Sequence, residues 1–288
     1  MKSVLITGGT GFLGRAFVKR LLKDNLSNRI CVFSRGEHAQ ADFCAELGDE
    51  PRCRWLIGDV RDAKRLRRAM NGVSVVVHAA ALKRIEVSAY NPTEVARTNV
   101  DGAYNVIEAS QDAGVSKAVF ISTDKAWAPI GAYGASKLLA ESMFLASNST
   151  GGRQGTRFSV CRYGNIFNSA GSVVPRWRAL IAAGYRRVPV TDPCATRFFM
   201  KIQEAVDLVL DTITTMEGGE VNIPDLPAYR VGDLAEALDV KMEVLGLPSW
   251  EKMHESMDET RSSDKARRMS VAELRHELSL LPELKVAV

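Results

Sequence analysis

The residues best equipped for chemistry lie in one stretch, Ser122-Thr123-Asp124-Lys125-Ala126-Trp127-Ala128-Pro129-Ile130-Gly131-Ala132-Tyr133-Gly134-Ala135-Ser136-Lys137. It supplies a carboxyl, two amines, hydroxyls and a phenol. Tyr133 and Lys137 are four residues apart, so on a helix their side chains share one face. A positive charge one turn from a phenol favours phenolate, which would let Tyr133 act as a base below its usual pKa of about 10. Tyr-x-x-x-Lys alone is equally well explained by a surface tyrosine and a solvated lysine. Thr123, Asp124 and Lys125, placed just ahead of it, add the groups that proton transfer needs. The bland alternative for Asp124 and Lys125 is a plain ion pair at a strand end.

Such a stretch needs a strand to deliver it and a helix to carry it away. Lys117-Ala118-Val119-Phe120-Ile121-Ser122 reads as a buried strand, and a helix is expected to begin at Tyr133. In an open α/β sheet, ligands bind beyond the C-terminal ends of the strands. The chain start fits the same plan. Met1 to Ile6 is a short apolar strand, followed by Thr7-Gly8-Gly9-Thr10-Gly11-Phe12-Leu13-Gly14 and an amphipathic helix to about Lys23. Gly9, Gly11 and Gly14 satisfy G-x-G-x-x-G with a strand before and a helix after, the context in which the pattern means a pyrophosphate site. Gly8, Thr10, Gly11, Phe12 and Leu13 are the contacts expected there.

Further strands are expected at Arg29–Phe33, Cys53–Ile57, Val73–Val77 and Phe158–Cys161. The second ends in Ser34-Arg35, a hydroxyl and a guanidinium where an NAD enzyme would place an acid. This pair suits a ribose 2′-phosphate and favours NADP. Asp59 and Val60 follow the third strand, where an adenine would lie, and Asp62 is a candidate cap for a helix over Ala63–Met70. Ala79, Ala80 and Ala81 follow the fourth, small enough for a nicotinamide ribose to approach. His78 is expected in that loop. Pro92 to Ala113 reads as one long helix with Asn99 inside it.

Strands alternating with helices give an α/β, doubly wound parallel (Rossmann) sheet. The expected division is residues 1–167, together with 202–218, as the nucleotide-binding domain, and 168–201 with 219–288 as a small substrate-binding lid. In that lid, helices are expected at Arg176–Ala183 and Val231–Ala237, with short strands at Val188–Asp192 and Thr196–Met200. Gln203–Met216 is a helix returning to the sheet, Val221–Pro224 a strand, and the remainder to Val288 is charged and helical.

Composition narrows the function classes. The 288 residues carry a net charge of +4 and 46% hydrophobic residues, which suits a soluble enzyme and gives no argument for nucleic acid. The basic runs Arg61–Arg68 and Arg261–Arg268 read as solvated helix faces. Five cysteines without C-x-x-C spacing imply reduced thiols, no metal and a cytoplasmic setting. The apolar start is too short for a signal sequence, and no window approaches the ~20 apolar residues of a membrane span.

The strings now on the page resemble an extended short-chain dehydrogenase/reductase, and within it the soluble, C5-inverting UDP-N-acetylglucosamine 4,6-dehydratases of the pseudaminic-acid pathway. The resemblance is carried by Phe33-Ser34-Arg35, His78 to Lys83, Tyr90-Asn91-Pro92, Thr98-Asn99-Val100, Ser122 to Ala126, Tyr133 to Lys137, Arg162-Tyr163-Gly164-Asn165, Thr196 to Phe199 and Glu251 to Glu255. The Asp-Lys pair eight residues before the tyrosine is its most specific part. Membrane-anchored retaining relatives place methionine at the position of Tyr133. Trp127, Ala128 and Pro248-Ser249-Trp250 depart from the family pattern, and the chain is shorter than most members.

The resemblance implies a reaction. Tyr133 takes the proton of the sugar 4-hydroxyl while C4 gives hydride to NADP+. Lys137 lowers the tyrosine pKa and holds the nicotinamide ribose, and Thr123 hydrogen-bonds the 4-oxygen. Lys125, as a neutral amine, removes the C5 proton, and Asp124, protonated, releases the 6-hydroxyl as water. Hydride returns to C6, and C5 is reprotonated on the opposite face. It also implies cofactor contacts at Lys83, Asn99, Tyr133 and Lys137, and UDP-sugar contacts at Lys83, Asn165, Val173, Arg176, Thr191, Arg197 and Glu255. A homo-oligomer, at least a dimer, is expected through the helices from Pro92 and Tyr133. The alternatives are a UDP-sugar 4-epimerase, a 5,6-dehydratase, and a non-catalytic NADP-binding protein.

Overall fold

Short runs of β-branched and aromatic residues without polar interruption can only be strands buried on both faces. Three runs beginning at Val4, Ile30 and Val75 meet that description, and each is buried along its whole length. The computed structural model describes residues 1–150 and 155–282. The last residues of the expected C-terminal helical tail, 283–288, lie outside the described residues.

In chain order the first unit holds β1 (Val4–Thr7), α1 (Phe12–Lys23), β2 (Ile30–Ser34), α2 (Glu37–Leu47), β3 (Cys53–Ile57), α3 (Ala63–Ala69), β4 (Val75–His78), α4 (Ile85–Tyr90), α5 (Pro92–Val95), α6 (Gly102–Asp112), β5 (Lys117–Ile121), α7 (Ala132–Ala146) and β6 (Arg157–Cys161). The chain then leaves for α8 (Val173–Ala182), β7 (Arg187–Val190) and β8 (Thr196–Phe198), and returns with α9 (Ile202–Thr215) and β9 (Val221–Asn222). All seven strands of this unit pair in parallel, in the order β3-β2-β1-β4-β5-β6-β9. The order reverses at β1, so β1 and β4 flank the switch point where such sheets take ligands. Register aligns their ends: Thr7 sits opposite Phe33 and His78, and His78 opposite Phe120.

Apolar residues of α3, α6 and α7 close one cluster with the sheet, through Leu66, Val106, Ile107, Ala140, Phe144, Phe120 and Phe158. Burial of this kind contributes roughly 25 cal/mol per Å². Between α5 and α6 the helix widens into a π-turn over Ala96–Asp101. The expected single helix from Pro92 is therefore continuous but changes pitch where it carries Asn99. The two compact units are residues 1–162 with 202–223, and 163–201 with 224–288. Residues 219–223, expected with the lid, belong to the sheet unit because Val221–Asn222 pairs with β6.

The second unit adds β10 (Ala228–Arg230), α10 (Val231–Ala237), β11 (Lys241–Val244) and α11 (Val271–Ser279). β8 pairs with β10 antiparallel and β7 with β11 in parallel. Trp177, Val188, Phe199, Tyr229, Leu234 and Leu274 form its core. The expected helical tail is corrected here: β11 and a long irregular stretch precede α11. Arg261–Arg268 form no helix, because Asp258 and Ser262 divert the backbone into local turns.

Candidate active site

The loop after β1 is shaped by what its glycines lack. Gly8 has φ +69°, and a Cβ there would meet the Ala80 backbone nitrogen at 2.9 Å. A Cβ on Gly14 would meet the Gly8 oxygen at 2.6 Å, so helix and loop touch backbone to backbone. Gly11 caps α1 without any side-chain acceptor, which leaves the first N–H groups of a 12-residue helix available to an anion. Thr10, Phe12 and Leu13 lie on this loop and the first helical turn.

At the end of β2, Gln40 of α2 donates to both the hydroxyl (3.0 Å) and carbonyl (3.1 Å) of Ser34. Arg35 is 57% exposed and pairs loosely with Asp59 at 3.9 Å. Asp59 is engaged by Arg61, and Val60 is buried beneath Asn105, whose amide donates to its carbonyl. Beyond β4, Ala79 and Ala80 are pinned by Thr7, through its carbonyl (3.2 Å) and hydroxyl (3.2 Å) respectively. Ala81 follows, partly buried, and Lys83 is exposed over much of its length, with desolvation lowering the pKa of its ammonium.

One expectation at this edge is corrected. His78 is the last residue of β4, not a loop residue. It is buried, shares a hydrogen with the Thr7 hydroxyl at 2.7 Å and stacks on Phe144, and burial pushes its pKa down to about 3. Asn99 is buried, and its amide is engaged within the protein. Its oxygen accepts from Leu82 N (2.8 Å), and its nitrogen donates to Leu82 O (3.0 Å) and Ser136 Oγ (3.0 Å), so the side chain ties the loop after β4 to α7.

The central stretch leaves β5 through a single 3-10 turn, Asp124–Ala126, capped by the Thr123 hydroxyl. Asp124 is fully buried. Its Oδ1 accepts from Thr123 Oγ1 at 2.9 Å and from Lys125 Nζ at 3.0 Å. Ala128 then adopts φ +43°, turning the chain back, and α7 starts at Ala132. Gly134 lets α7 close on this turn, since a Cβ there would collide with the Lys125 carbonyl. Tyr133 thus faces Thr123, Asp124 and Lys125.

The electrostatics differ from expectation. Burial pushes the Tyr133 phenol up to about 12, against the pull of the Lys125 ammonium and a Thr123 hydrogen bond, with Asp124 adding to the rise. The Lys125 ammonium is a cation within reach of the phenol. Lys137 Nζ donates to the Ile121 carbonyl (2.5 Å) and lies 3.9 Å over the Phe120 ring. Burial lowers its pKa to about 7, opposed by Glu141.

Sequence reasoning missed Glu141. It lies one turn beyond Lys137, almost fully buried, and receives a bidentate pair from Arg162, Nε at 3.0 Å and Nη2 at 2.6 Å. The period-four series Tyr133, Lys137, Glu141 was the available signal.

In the second unit, Asn165 follows β6, Val173 opens α8, Arg176 is exposed on its first turn and Thr191 follows β7. Arg197 is buried, donates to Thr196 O (2.7 Å) and Met253 O (3.1 Å), and pairs with Glu251. Glu255 is buried, its N–H donating to Ser263 Oγ at 2.9 Å, with Lys252 at 3.9 Å. Among the described residues, no group of three or more His, Cys, Asp or Glu is placed to hold a metal, and no helix is long and apolar enough to cross a membrane.

The model of the polysaccharide biosynthesis protein family matches residues 4–274. The chain is 43% identical over 258 residues to a UDP-N-acetylglucosamine 4,6-dehydratase (inverting) of Campylobacter jejuni, covering 89% of this chain and 77% of that one. It is 38% identical over 274 residues to a UDP-glucose 4-epimerase of Rickettsia akari, covering 92% and 80%. Among solved structures, Pen from Bacillus thuringiensis superimposes with a TM-score of 0.92 at 32% identity, covering 97% and 98%.

Proposed function

The chain belongs to the polysaccharide biosynthesis protein family, and from that premise we propose that it is a hydro-lyase, an inverting UDP-N-acetylglucosamine 4,6-dehydratase. The observation that carries this reading is the Asp124–Lys125 pair beside Tyr133, an acid and a base that oxidation at C4 alone does not need. The greater identity to the Campylobacter enzyme than to the Rickettsia epimerase points the same way.

The residues present fit a dinucleotide: a glycine cradle that a Cβ would fill and an uncapped helix N-terminus for the pyrophosphate. Ser34 and the exposed Arg35, with no acid at the end of β2, favour NADP over NAD. When bound, this cofactor accepts hydride from C4 and returns it to C6.

Tyr133 removes the 4-hydroxyl proton, assisted by the Lys125 ammonium and by Thr123, which also holds the 4-oxygen. The resulting ketone acidifies C5–H. Lys125, once its ammonium proton has passed to Asp124 across their 3.0 Å contact, takes the C5 proton as an amine, and Asp124 delivers the proton it received to the departing 6-hydroxyl, so water leaves. Reprotonation at C5 on the other face inverts that centre. Lys137 supports the helix-borne phenol and the nicotinamide ribose. Asn165, Val173, Arg176, Thr191 and Glu255 are the proposed UDP-sugar contacts of the second unit. Arg197 is proposed as a further UDP-sugar contact, held by Met253 O and Glu251.

We further propose a homo-oligomer. Tyr90 of α4, Tyr104 of α6 and Leu138 and Leu139 of α7 expose large apolar surface, 88%, 51%, 38% and 50% respectively. Light scattering is expected to give at least a dimer, and a monomer would refute this.

The activity test is incubation of purified protein with UDP-GlcNAc in D2O. Loss of one water, with deuterium at an inverted C5, is the expected result by mass spectrometry and proton NMR. Conversion to UDP-GalNAc without water loss would establish the epimerase instead.

A further inference from the structure

Tyr133, Lys137 and Glu141 fall at successive four-residue steps of α7, so they stack along one face of the helix. Lys137 and Glu141 are 3% and 2% exposed. A buried carboxylate is costly unless its oxygens are satisfied. Arg162 satisfies them bidentately, 2.6 and 3.0 Å, from the position just beyond β6, where its own backbone N–H is fixed to Asn222 O. The same guanidinium lies 5.8 Å over the ring of Trp127. Trp127 follows the Asp124–Ala126 turn directly, and its N–H donates to Asp124 O at 3.1 Å. One ion pair thus touches both halves of the site, the helix that carries Tyr133 and Lys137 and the turn that carries Asp124 and Lys125.

Resting on the dehydratase reading, we infer that Glu141 and Arg162 form a positioning pair that sets the charge of Lys137 and braces the Asp124–Lys125 turn through Trp127. Neither residue meets the reacting atoms. Their influence passes through Lys137 on one side and Trp127 on the other.

The groups facing the Lys137 ammonium define how the pair acts. On β5 there are the Ile121 carbonyl and the Phe120 ring. On β4 there is His78, which burial keeps neutral at physiological pH. On α7 itself Tyr133 and Glu141 share the face of Lys137 at four-residue steps, and Arg162 stands behind Glu141. Glu141 is the anion that favours the charged form of Lys137, and Arg162 draws on the same carboxylate. The two members of the pair therefore push Lys137 in opposite directions.

This gives a test that a merely structural role would fail. Glu141→Gln removes the anion, so Lys137 loses its proton at lower pH. The alkaline limb of the water-loss rate is expected to move down by about one pH unit. Arg162→Met leaves the carboxylate facing Lys137 alone, so the same limb is expected to move up. Both rates are read on the full chain with NADP and UDP-GlcNAc between about pH 6 and 10, a range that brackets the limb.

A second readout needs no turnover. Protein labelled at the lysine ε-carbons is titrated by carbon NMR, with the Lys137 signal identified by its loss in Lys137→Met. Opposite shifts in the two variants support the pair. Shifts of the same sign, or both under about 0.3 pH unit, overturn it. If one variant does not fold, the sign of the other decides. If neither folds, the neutral Glu141→Gln/Arg162→Met double, of a kind buried pairs often tolerate, is expected to show a smaller shift and a slower water-loss step at every pH. A wild-type rate in the double would overturn the bracing role. If wild type loses no water from UDP-GlcNAc at any pH, the dehydratase reading fails, while the NMR titration still judges the pair.

Discussion

Gly134→Ala probes the contact on which the site depends. A Cβ at this position would lie closer than 2.5 Å to the Lys125 carbonyl oxygen and 3.0 Å from Pro129 Cβ, whereas ordinary contact begins at 3.4 Å. The obstacle is backbone, so no side-chain rotation relieves it. Helix α7 and the Asp124–Ala126 turn must separate by about 1 Å, which moves Tyr133 away from Thr123 and Lys125. A misplacement of that size costs roughly 100-fold in rate when reacting groups are held in near-attack geometry. Overpacking of this kind also destabilises by about 1–3 kcal/mol, or roughly 2–4 °C of melting temperature per kcal/mol. The assay pairs a thermal melt with the water-loss rate at saturating UDP-GlcNAc. Gly131→Ala is the control, because nothing lies within 4 Å of a Cβ there, and as a cap position it should lose under about 1 kcal/mol. A Gly134→Ala protein within tenfold of the wild-type rate and within about 2 °C of its melting temperature would refute the reasoning.

Other perturbations separate the roles. Lys125→Ala is expected to lower water loss by about 10²–10⁴-fold; a rate near wild type by mass spectrometry would favour the epimerase. Asp124→Asn should lose water elimination by a similar factor and slow deuterium exchange at C5 with it, because the amide cannot take the Lys125 proton; exchange at the wild-type rate would contradict a proton shared by acid and base. Arg35→Ala is expected to weaken NADP about 10–100-fold and leave NAD nearly unchanged, the range of a charged hydrogen bond; calorimetry reads both. The folded-state pKa of His78, about 3, lies below its free value of about 6.5, so its contribution to stability is full above pH 6.5 and is lost as pH falls toward 3. The slope of unfolding free energy across that window should flatten in His78→Phe; an unchanged slope in urea titrations would place the acid sensitivity elsewhere.

The strands and the helix α7 were legible because their signal is local: apolar runs, a glycine loop and a four-residue repeat. Helix α2 was not, since only Gln40 and Phe43 of its eleven residues are buried and no apolar stripe marks it. Strand β11 has four exposed residues and so carries no burial pattern at all. The identities of chemical residues were readable, but their partners were not. Asn99 meets Leu82 and Ser136, and Arg197 meets Glu251, across 17, 37 and 54 residues. A polar side chain in a motif announces capacity; only the fold decides whether that capacity is spent on a ligand or on a loop.

The Asp124–Lys125 contact shows why the ion-pair and catalytic readings need not exclude each other. At 3.0 Å, one proton passing from Nζ to Oδ1 turns ammonium and carboxylate into amine and acid. In water the gap between lysine near 10.4 and aspartate near 3.9 opposes that transfer. Here the carboxyl is fully buried, and burial penalises two charges more than two neutral groups. Covering the remaining exposed part of Lys125, 16% of its side chain, with a bound sugar would remove more water from the pair. The resting ion pair and the acid–base pair are then two proton positions of one contact. Thr123, donating to the same carboxylate oxygen at 2.9 Å, favours the resting form until the substrate's 4-oxygen competes for its hydroxyl.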